Sequence, residues 1–500
     1  MYTFSKSLKN TALVLMILGF AGIVYGFLST PNTIEEVEKI VAESHHGGHK
    51  VEATAHNTHE AEAKHEVAET PVTEKIVEPK TDSISNSEKD TSKVASAPVV
   101  EEKIESSHNE KAVEVTAVDA EKEHKEHVEH VFHQLQNKPW AALYVACIFF
   151  MLVSLGALAF YAIQQVAQAG WSPVLFRVMQ GITAYLPVGS ILFLVILIVT
   201  GTHVFHSNNL FVWMKEGVTE VGNANYDKLI AGKSGYLNVT FWLIRAIVFL
   251  AGWNLYRYLS RKNCLAQDES NDNTFYKKNF KMSAAFLVFF IVTESIMSWD
   301  WLMSFDPHWF STLFGWYVFA SFFVSGITTI SMVTLYLKSK GYLENVNSSH
   351  IHDLSKFMFG ISVFWTYLWF SQFMLIWYAN IPEEVTYFKF RIEYYNLPFF
   401  GAVVMNFIFP ILVLINTDFK RIAPIIVGAG VVILCGHYID FFNMVMPATV
   451  GDQWFIGASE IGSVLFFLGL FIYVVFSALT KVPLTPKRNP FIEESKHFHY

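Results

Sequence analysis

Ionisable side chains within long apolar runs are the residues of this sequence that could do chemistry. Arg245 and Glu294 lie deepest in such runs. Burying a charge in a bilayer is costly, so such a residue is a functional candidate by default. At 1.5 Å per residue, both lie about 12 to 14 Å from the same membrane boundary. Because their runs are consecutive and antiparallel, we expect an Arg245–Glu294 ion pair, acting either as a structural lock or as a proton-relay site in which only the carboxylate titrates.

A second set of ionisable residues lies nearer one end of the apolar runs. His437 and Asp440 are three residues apart and share one helical face, where a carboxylate can hold an imidazole. The set predicts a polar cavity or proton exit path, although independent interfacial polar residues would give the same pattern. The proton-path candidates are therefore Glu294, Asp300, His437, Asp440, Glu460 and His203, with Arg245 as their electrostatic partner.

The elements that position these residues are membrane-spanning helices, since a helix needs about 20 apolar residues to cross a hydrocarbon core. The sequence predicts ten spans, over about 11–28, 140–163, 181–204, 236–258, 282–302, 309–336, 357–379, 397–416, 422–442 and 455–480. The predicted fold is an all-α polytopic membrane protein. We take the first span as a retained anchor, because no signal-peptidase site follows it.

Composition supports this class and excludes several others. The chain of 500 residues is 52% hydrophobic and only 16% charged, against about 25% charged in soluble domains. Three scattered cysteines give no disulfide framework, iron-sulfur site or thiolate zinc site. The sequence has no haem-attachment motif and no nucleotide-binding motif. We therefore expect no redox cofactor, metal or nucleic acid on this chain.

Charge in the short loops predicts the orientation. Placing the N-terminus inside gives eighteen Lys and Arg residues to the inner segments and five to the short outer loops. Because positive flanks resist translocation, both termini should be cytoplasmic. Residues 31–138 would then be a periplasmic insertion, and its acidic, His-rich composition with no aromatic residue before Phe132 favours disorder. A helical lead-in to the second span is expected over 111–137.

Two segments that connect the predicted spans contain local sequence patterns that predict their structure. Asp306 followed by Pro307 predicts a helix N-cap and first turn in the tryptophan-rich stretch from Ser298 to Trp316. Residues 164–180 contain Trp171 and Arg177 and predict an interfacial helix on the inner face.

The stretch WDWLMSFDPHWFSTLFGWY, the ten spans and the AGWSP sequence before span three resemble a known family. It is the F subunit of bacterial alternative complex III, a quinol:cytochrome c oxidoreductase, and more broadly the polysulfide-reductase-like membrane subunits. The resemblance covers about residues 140–480. It implies two four-helix bundles flanked by the first and last spans. Together with the first apolar run and the acidic insertion, this gives predicted domain limits at 1–30, 31–138, 139–305, 306–446 and 447–500.

The same resemblance implies partners and a location. The partners would be a sister membrane subunit, an iron-sulfur protein, cytochromes c and often a cytochrome c oxidase, in the inner membrane of a bacterium. Haem c and iron-sulfur clusters would lie in the partners, with menaquinol as substrate of the complex. This chain would serve as scaffold and candidate proton-translocation path. Two alternatives stay open: a secondary transporter with two four-helix repeats, and a purely structural subunit.

Overall fold

The chain folds into α-helices joined by loops and short 3₁₀ or π turns. The computed structural model describes the backbone of residues 1–46, 109–205 and 207–499, and the side chains of residues 1–42, 122–205 and 207–499; no strand occurs among them. Ten helices in this part of the chain are long and apolar enough to cross a membrane, so the all-α polytopic class is confirmed. The α-helices are α1 Lys6–Leu28, α2 Ile34–His46, α3 Asn109–Val166, α4 Phe176–Ile182, α5 Leu186–Gly201, α6 Lys228–Lys233, α7 Val239–Glu269, α8 Thr274–Trp301, α9 Phe314–Ser339, α10 Ser348–Ala379, α11 Pro382–Tyr394, α12 Asn396–Val403, α13 Phe409–Leu414, α14 Ala423–Val450, α15 Ala458–Leu479 and α16 Ile492–Lys496.

The chain divides into two compact units. Residues 1–37 and 128–500 form one, and residues 38–127 form the other. The described part of the second unit is helical at both of its ends, within α2 and the first part of α3. The helix of residues 34–46 lies in a stretch whose composition predicts no stable fold, whereas α3 includes the expected helical lead-in. The remaining insertion, residues 47–108, lies outside the described residues.

The later part of α3, residues 141–166, and helix α9 form the centre of the first unit, because both are buried on nearly all sides. They cross where Gly156 of α3 faces Gly326 of α9. A Cβ atom added at Gly326 would lie 2.6 Å from the backbone nitrogen of Ala157, so only glycine permits this approach. Small residues at helix crossings are common in membranes, where close packing replaces the hydrophobic effect as the driving force. Around this centre, α8 and α10 pack on α9, and α7 packs on α8. Whether the spans form two separate four-helix bundles stays a prediction.

Helix α1 packs along α15 through a second glycine contact. A Cβ atom on Gly462 would lie 2.7 Å from the backbone of Gly22, so the two helices touch backbone to backbone. Much of the rest of α1 is exposed, including Ile17 and Leu18. The first span is therefore held mainly by α15.

We name the two ends of the helical body by their loops. The tryptophan-rich end holds residues 202–205, 207–238, 302–313, 380–395 and 451–457. The basic end holds residues 1–5, 167–172, 270–273, 340–347, 415–422 and 480–499. The first and last described residues, Met1 and His499, belong to the basic end, where the Tyr2 ring is 6.0 Å from the Phe476 ring.

Two local expectations are wrong. No helix follows Pro307; the Asp306 carboxylate instead accepts a hydrogen bond from the backbone N–H of His308, and the next helix starts at Phe314. This hydrogen bond closes a short turn that is followed by a loop rather than by a helix, so Asp306 does not act as a helix N-cap. Residues Phe176–Ile182 form a helix buried throughout rather than an interfacial one. Arg177 is buried there because it pairs with Asp268, with Nη2 2.6 Å from Oδ2.

Candidate functional site

The candidate site is a buried network centred on the carboxylate of Asp440, on α14. Asp440 is 1% exposed. Its Oδ2 accepts hydrogen bonds from the Ser321 hydroxyl at 2.8 Å and from the Trp365 indole N–H at 2.9 Å. Its Oδ1 accepts a short hydrogen bond from the Tyr317 hydroxyl. Helices α9, α10 and α14 thus converge on one carboxylate, and all three of these donors are neutral groups.

His437 joins this network through Ser321. The Ser321 hydroxyl lies 2.9 Å from Nδ1 of His437, and that nitrogen is 3.8 Å from Oδ2 of Asp440. A hydroxyl both donates and accepts. Ser321 can therefore connect the imidazole to the carboxylate, which are the two members of the network able to exchange protons. The predicted pairing of His437 with Asp440 on one helical face is present in the structure, with serine as a bridge.

Asn406 reaches the network from an irregular turn between α12 and α13. Residues Val404–Ile408 form a π turn just before Pro410. Proline lacks the N–H that would bond four residues back, and π turns are often found at functional sites. The Asn406 amide nitrogen lies 3.4 Å from Nδ1 of His437. Gly436 makes room for Asn406, because a Cβ atom there would collide with that side chain.

Polar groups of this network are left without partners among the described residues. They include Nε2 of His437, Oδ1 of Asn406 and, farther along α9, the hydroxyl of Thr328. The hydroxyls of Ser331 and Thr334 continue from Thr328 toward the basic end and are likewise buried without partners. Buried polar groups are nearly always hydrogen-bonded, by protein or by ordered water. The polar row of α9 therefore extends about 20 Å from Ser321 to Thr334, at 1.5 Å per residue, although it winds gradually around the helix.

A narrow cleft reaches Asp440 on the side of the tryptophan-rich end. It has a volume of about 10 Å³, close to the minimum for one water molecule, and Gln372 and Arg391 are among its lining residues. Arg391 donates from Nε to the carbonyl of Asn443 at 3.1 Å and from Nη1 to the carbonyl of Tyr387 at 2.9 Å. In the described part of the chain, no carboxylate oxygen lies within 4.0 Å of this guanidinium.

Aromatic stacking fixes Arg391 at the cleft. Its guanidinium carbon lies 3.3 Å from the centroid of the Tyr387 ring, which stacks on Trp309 at 3.8 Å. Burial raises the pKa of the Tyr387 phenol above its ordinary value. Arg391 is one of the five basic residues of the short outer loops, and its position at a cleft was not predicted. The signal for it in the sequence is its spacing of four residues from Tyr387 on one helix.

Arg245 pairs with Asp300, so the expected Arg245–Glu294 pair is wrong. Nε of Arg245 lies 2.6 Å from Oδ2 of Asp300, and Nη2 lies 2.9 Å from Oδ1. Nη1 donates to the carbonyl of Tyr236, whose ring lies 4.0 Å from the guanidinium carbon. The arginine side chain is long enough to reach toward the end of the span, where Asp300 lies, rather than across at its own depth. This pair has the geometry of a fixed structural lock.

Glu294 lies apart from every cation in the described structure. It is 4% exposed, and its Oε2 accepts a hydrogen bond from the Ser295 hydroxyl at 3.2 Å. Its Oε1 has no partner among the described residues. Glu294 therefore remains a candidate proton-carrying group without an electrostatic partner.

The two other candidates lie at helix ends. Glu460 accepts a hydrogen bond from the backbone N–H of Gly457 at 2.9 Å and caps the start of α15. His203 follows the end of α5 in a left-handed conformation, φ 49°, with Nε2 3.1 Å from the carbonyl of Met214. The structure thus brings together only His437 and Asp440 of the predicted set, with Arg245 and Asp300 as a separate pair.

A polar cluster near the basic end was not predicted from the sequence. The Tyr161 hydroxyl lies within 3.2 Å of side-chain nitrogens or oxygens of Gln165, Gln180, Ser260 and Asn279. Uncharged polar residues carry no strong sequence signal, since each alone can be accommodated by bonding within its own helix.

The sequence matches no protein-family model and no curated protein.

Proposed function

We propose that this chain is a multi-pass membrane subunit of a respiratory quinol:cytochrome c oxidoreductase of the alternative complex III kind, and that the Asp440 network is part of its path for protons. The observation that carries the proton path is the fully buried carboxylate of Asp440, held by neutral donors and joined to His437 through one serine hydroxyl. Buried ionisable groups within membrane spans commonly mark proton relays.

The contrast with the Arg245–Asp300 pair supports this assignment. Arginine does not release its proton in proteins, so a carboxylate held in a bidentate pair with it is fixed as a charge. Asp440 and His437 can both gain and lose a proton. When His437 is an imidazolium and Asp440 a carboxylate, the Nδ1 proton would pass to Ser321 as the Ser321 hydroxyl proton passes to Asp440, which leaves a neutral imidazole, a neutral carboxylic acid and an unchanged serine.

Two polar routes lead away from the Asp440 network, one toward each end of the helical body. The cleft beside Arg391 leads from Asp440 toward the tryptophan-rich end and has room for about one water. The buried hydroxyls of Thr328, Ser331 and Thr334 lead toward the basic end. The charge bias of the loops supports a cytoplasmic basic end. The tryptophan-rich end would then be periplasmic in the bacterial inner membrane that the resemblance implies.

The rest of the complex follows from the resemblance of residues 140–480. Electrons would pass from menaquinol through iron-sulfur clusters and haem c on partner subunits, and this chain would couple to them without a redox group of its own. Gentle purification tests this part. Co-purification of haem-absorbing partners would support it, whereas a chain isolated alone that exchanges solutes in vesicles would favour a secondary transporter.

Proton release per electron in reconstituted vesicles tests the path. Asp440→Asn should lower proton release while the complex still assembles, and Ser321→Ala should do the same by removing the bridge. Asp452→Asn is the matched control, because Asp452 is exposed at the tryptophan-rich end. An assembled Asp440→Asn or Ser321→Ala complex with unchanged proton release would contradict the proposal.

A further inference from the structure

A large apolar groove lies between α14 and α15, on the outside of the helical body. We call it the α14–α15 groove; Leu434 of α14 and Leu468 of α15 form its walls, and Phe149 and Phe150 of α3 form its floor. Its volume is about 530 Å³. It opens outward past Cys435, which is exposed.

Water is a poor occupant of this groove. The lining is carbon apart from Thr329, the Cys435 thiol and the tyrosine hydroxyls. A buried water needs two to four polar partners, and apolar cavities stay dry. In a membrane the groove would therefore be filled by apolar matter.

The length of the groove is close to the thickness of one leaflet of a bilayer. Along α15 the lining extends from Val464 to Phe476, three residues before the helix ends at the basic end. That interval corresponds to about 18 Å at 1.5 Å per residue. Half of a hydrocarbon core is about 15 Å. A transmembrane helix of a partner needs a surface about twice as long, so a single lipid chain fits this length better.

Aromatic residues close the groove at the basic end. The Tyr336 ring lies 5.2 Å from the Phe476 ring, and the Tyr2 ring packs against Phe476 at 6.0 Å. Tyrosine is favoured at the membrane interface, where its ring is apolar and its hydroxyl is wet. The closed end therefore coincides with the level of the lipid headgroups.

Three lysines lie beside this closed end. Lys6 and Lys9 flank the groove residue Leu8, and Nζ of Lys340 lies 6.0 Å from the Tyr336 ring centroid. All three are exposed. None has a carboxylate oxygen within 4.0 Å among the residues with described side chains. Unpaired lysines at this level attract anionic lipid headgroups.

We propose that the α14–α15 groove binds an anionic glycerophospholipid. One acyl chain lies between α14 and α15, and the phosphate lies beside Lys6, Lys9 and Lys340. This proposal does not depend on the proposed proton path or on the partner subunits.

Native mass spectrometry of the full-length protein, or of the complex that contains it, tests the proposal. Dioleoyl phosphatidylglycerol and dioleoyl phosphatidylcholine are the probes. The natural protein should retain one phosphatidylglycerol with a clear preference over phosphatidylcholine. Lys6→Gln, Lys9→Gln and Lys340→Gln together should lower that preference at least about tenfold, since each lysine near the membrane surface attracts anionic headgroups. The matched control replaces Lys277, Lys278 and Lys281, also exposed at the basic end, with glutamine.

A second pair of variants tests the groove itself. Leu468→Trp should displace the acyl chain, and Leu434→Trp provides an independent version from the opposite wall. Ile191→Trp is the control, because Ile191 is 65% exposed on α5 and lies outside the groove. Added phosphatidylglycerol should also slow maleimide labelling of Cys435, while Cys147 and Cys264 are buried.

The proposal is overturned by any of three results. These are equal retention of the two lipids by the natural protein, equal loss of preference in the two lysine triple variants, or unchanged phosphatidylglycerol binding when both tryptophan variants fold. A density map with a protein helix in the groove would overturn it as well.

Discussion

Arg245 on α7 and Asp300 on α8 form a bidentate ion pair that is 7% and 0% exposed, respectively. The pair ties two consecutive antiparallel helices together near the tryptophan-rich end. The Asp300 backbone carbonyl is held as well, by the Trp242 indole N–H at 2.8 Å. Each partner lowers the cost of burying the other.

Removing either partner of this pair should strongly destabilise the protein. Asp300→Ala leaves the Arg245 charge buried without compensation, and such changes cost about 3 to 5 kcal/mol. We expect a lower midpoint of thermal unfolding in detergent for Asp300→Ala and for Arg245→Ala. Glu344→Gln is the control, because Glu344 is exposed at the basic end. Unfolding midpoints equal to that of the control would show that the pair contributes little.

Replacing Glu294 should have a different outcome. Glu294→Gln alters one hydrogen bond, to Ser295, and separates no ion pair, so stability should change by no more than about 1 kcal/mol. If Glu294 carries protons, the assembled variant should still show altered proton release in reconstituted vesicles. Normal release from an assembled Glu294→Gln complex would remove Glu294 from the path and leave the Asp440 network unaffected.

The glycine contact between α1 and α15 should be intolerant of larger side chains. Gly462→Leu must push α1 away, because even a Cβ atom at this position is too close to Gly22. Gly428→Leu is the matched control, since a Cβ atom there meets nothing within 4 Å. We expect Gly462→Leu, but not Gly428→Leu, to increase proteolytic release of the first 30 residues. Equal cleavage in the two variants would contradict a dependence of α1 on this contact.

The exposed Asp227–His308 pair should stabilise the tryptophan-rich end in a pH-dependent way. Nε2 of His308 lies 2.6 Å from Oδ2 of Asp227, which also caps α6. The backbone N–H of Ile230, followed by the His308 side chain, lowers the pKa of Asp227 below its ordinary value. Its stabilising effect is therefore complete above the unfolded-state pKa of about 3.9 and is lost as the pH falls through the lower folded-state pKa.

Hydrogen exchange in residues 228–233 measures this effect. Asp227→Asn retains a cap but loses the charge, so its exchange should be faster than that of the natural protein at neutral pH and equal to it in strong acid. Asp227→Ala should be destabilised further by about 1 kcal/mol at every pH, because the cap is lost. A pH-independent difference between the natural protein and Asp227→Asn would exclude the proposed titration.

Long apolar runs made the ten spans predictable, because crossing a hydrocarbon core places a demand on composition alone. The spacing of His437 and Asp440 was predictable because both are on one helix. The partner of Arg245 was not predictable from the sequence. Glu294 matches its depth, but Asp300 is six residues further along α8, which rotates its side chain by about 240°. Depth is readable from sequence, whereas the direction in which a helix faces depends on its neighbours.

The same limit explains why Tyr317, Ser321 and Trp365 were not predicted to meet Asp440. These three residues belong to two other helices. A local sequence pattern does not show which faces of two separate helices will pack against each other. Arg391 was missed for a related reason, since a loop charge and a buried cleft residue look alike in sequence.

The π turn at Val404–Ile408 makes the network sensitive to chain length as well as to side-chain identity. This turn accommodates one more residue than a regular α-helical turn. Because the extra residue is taken up locally, deleting a single residue from the turn would restore regular winding and leave the helix on its two sides in nearly the same orientation. The bulge that carries Asn406 would then be lost with every other side chain unchanged, so a one-codon deletion here should disturb the contact between Asn406 and His437.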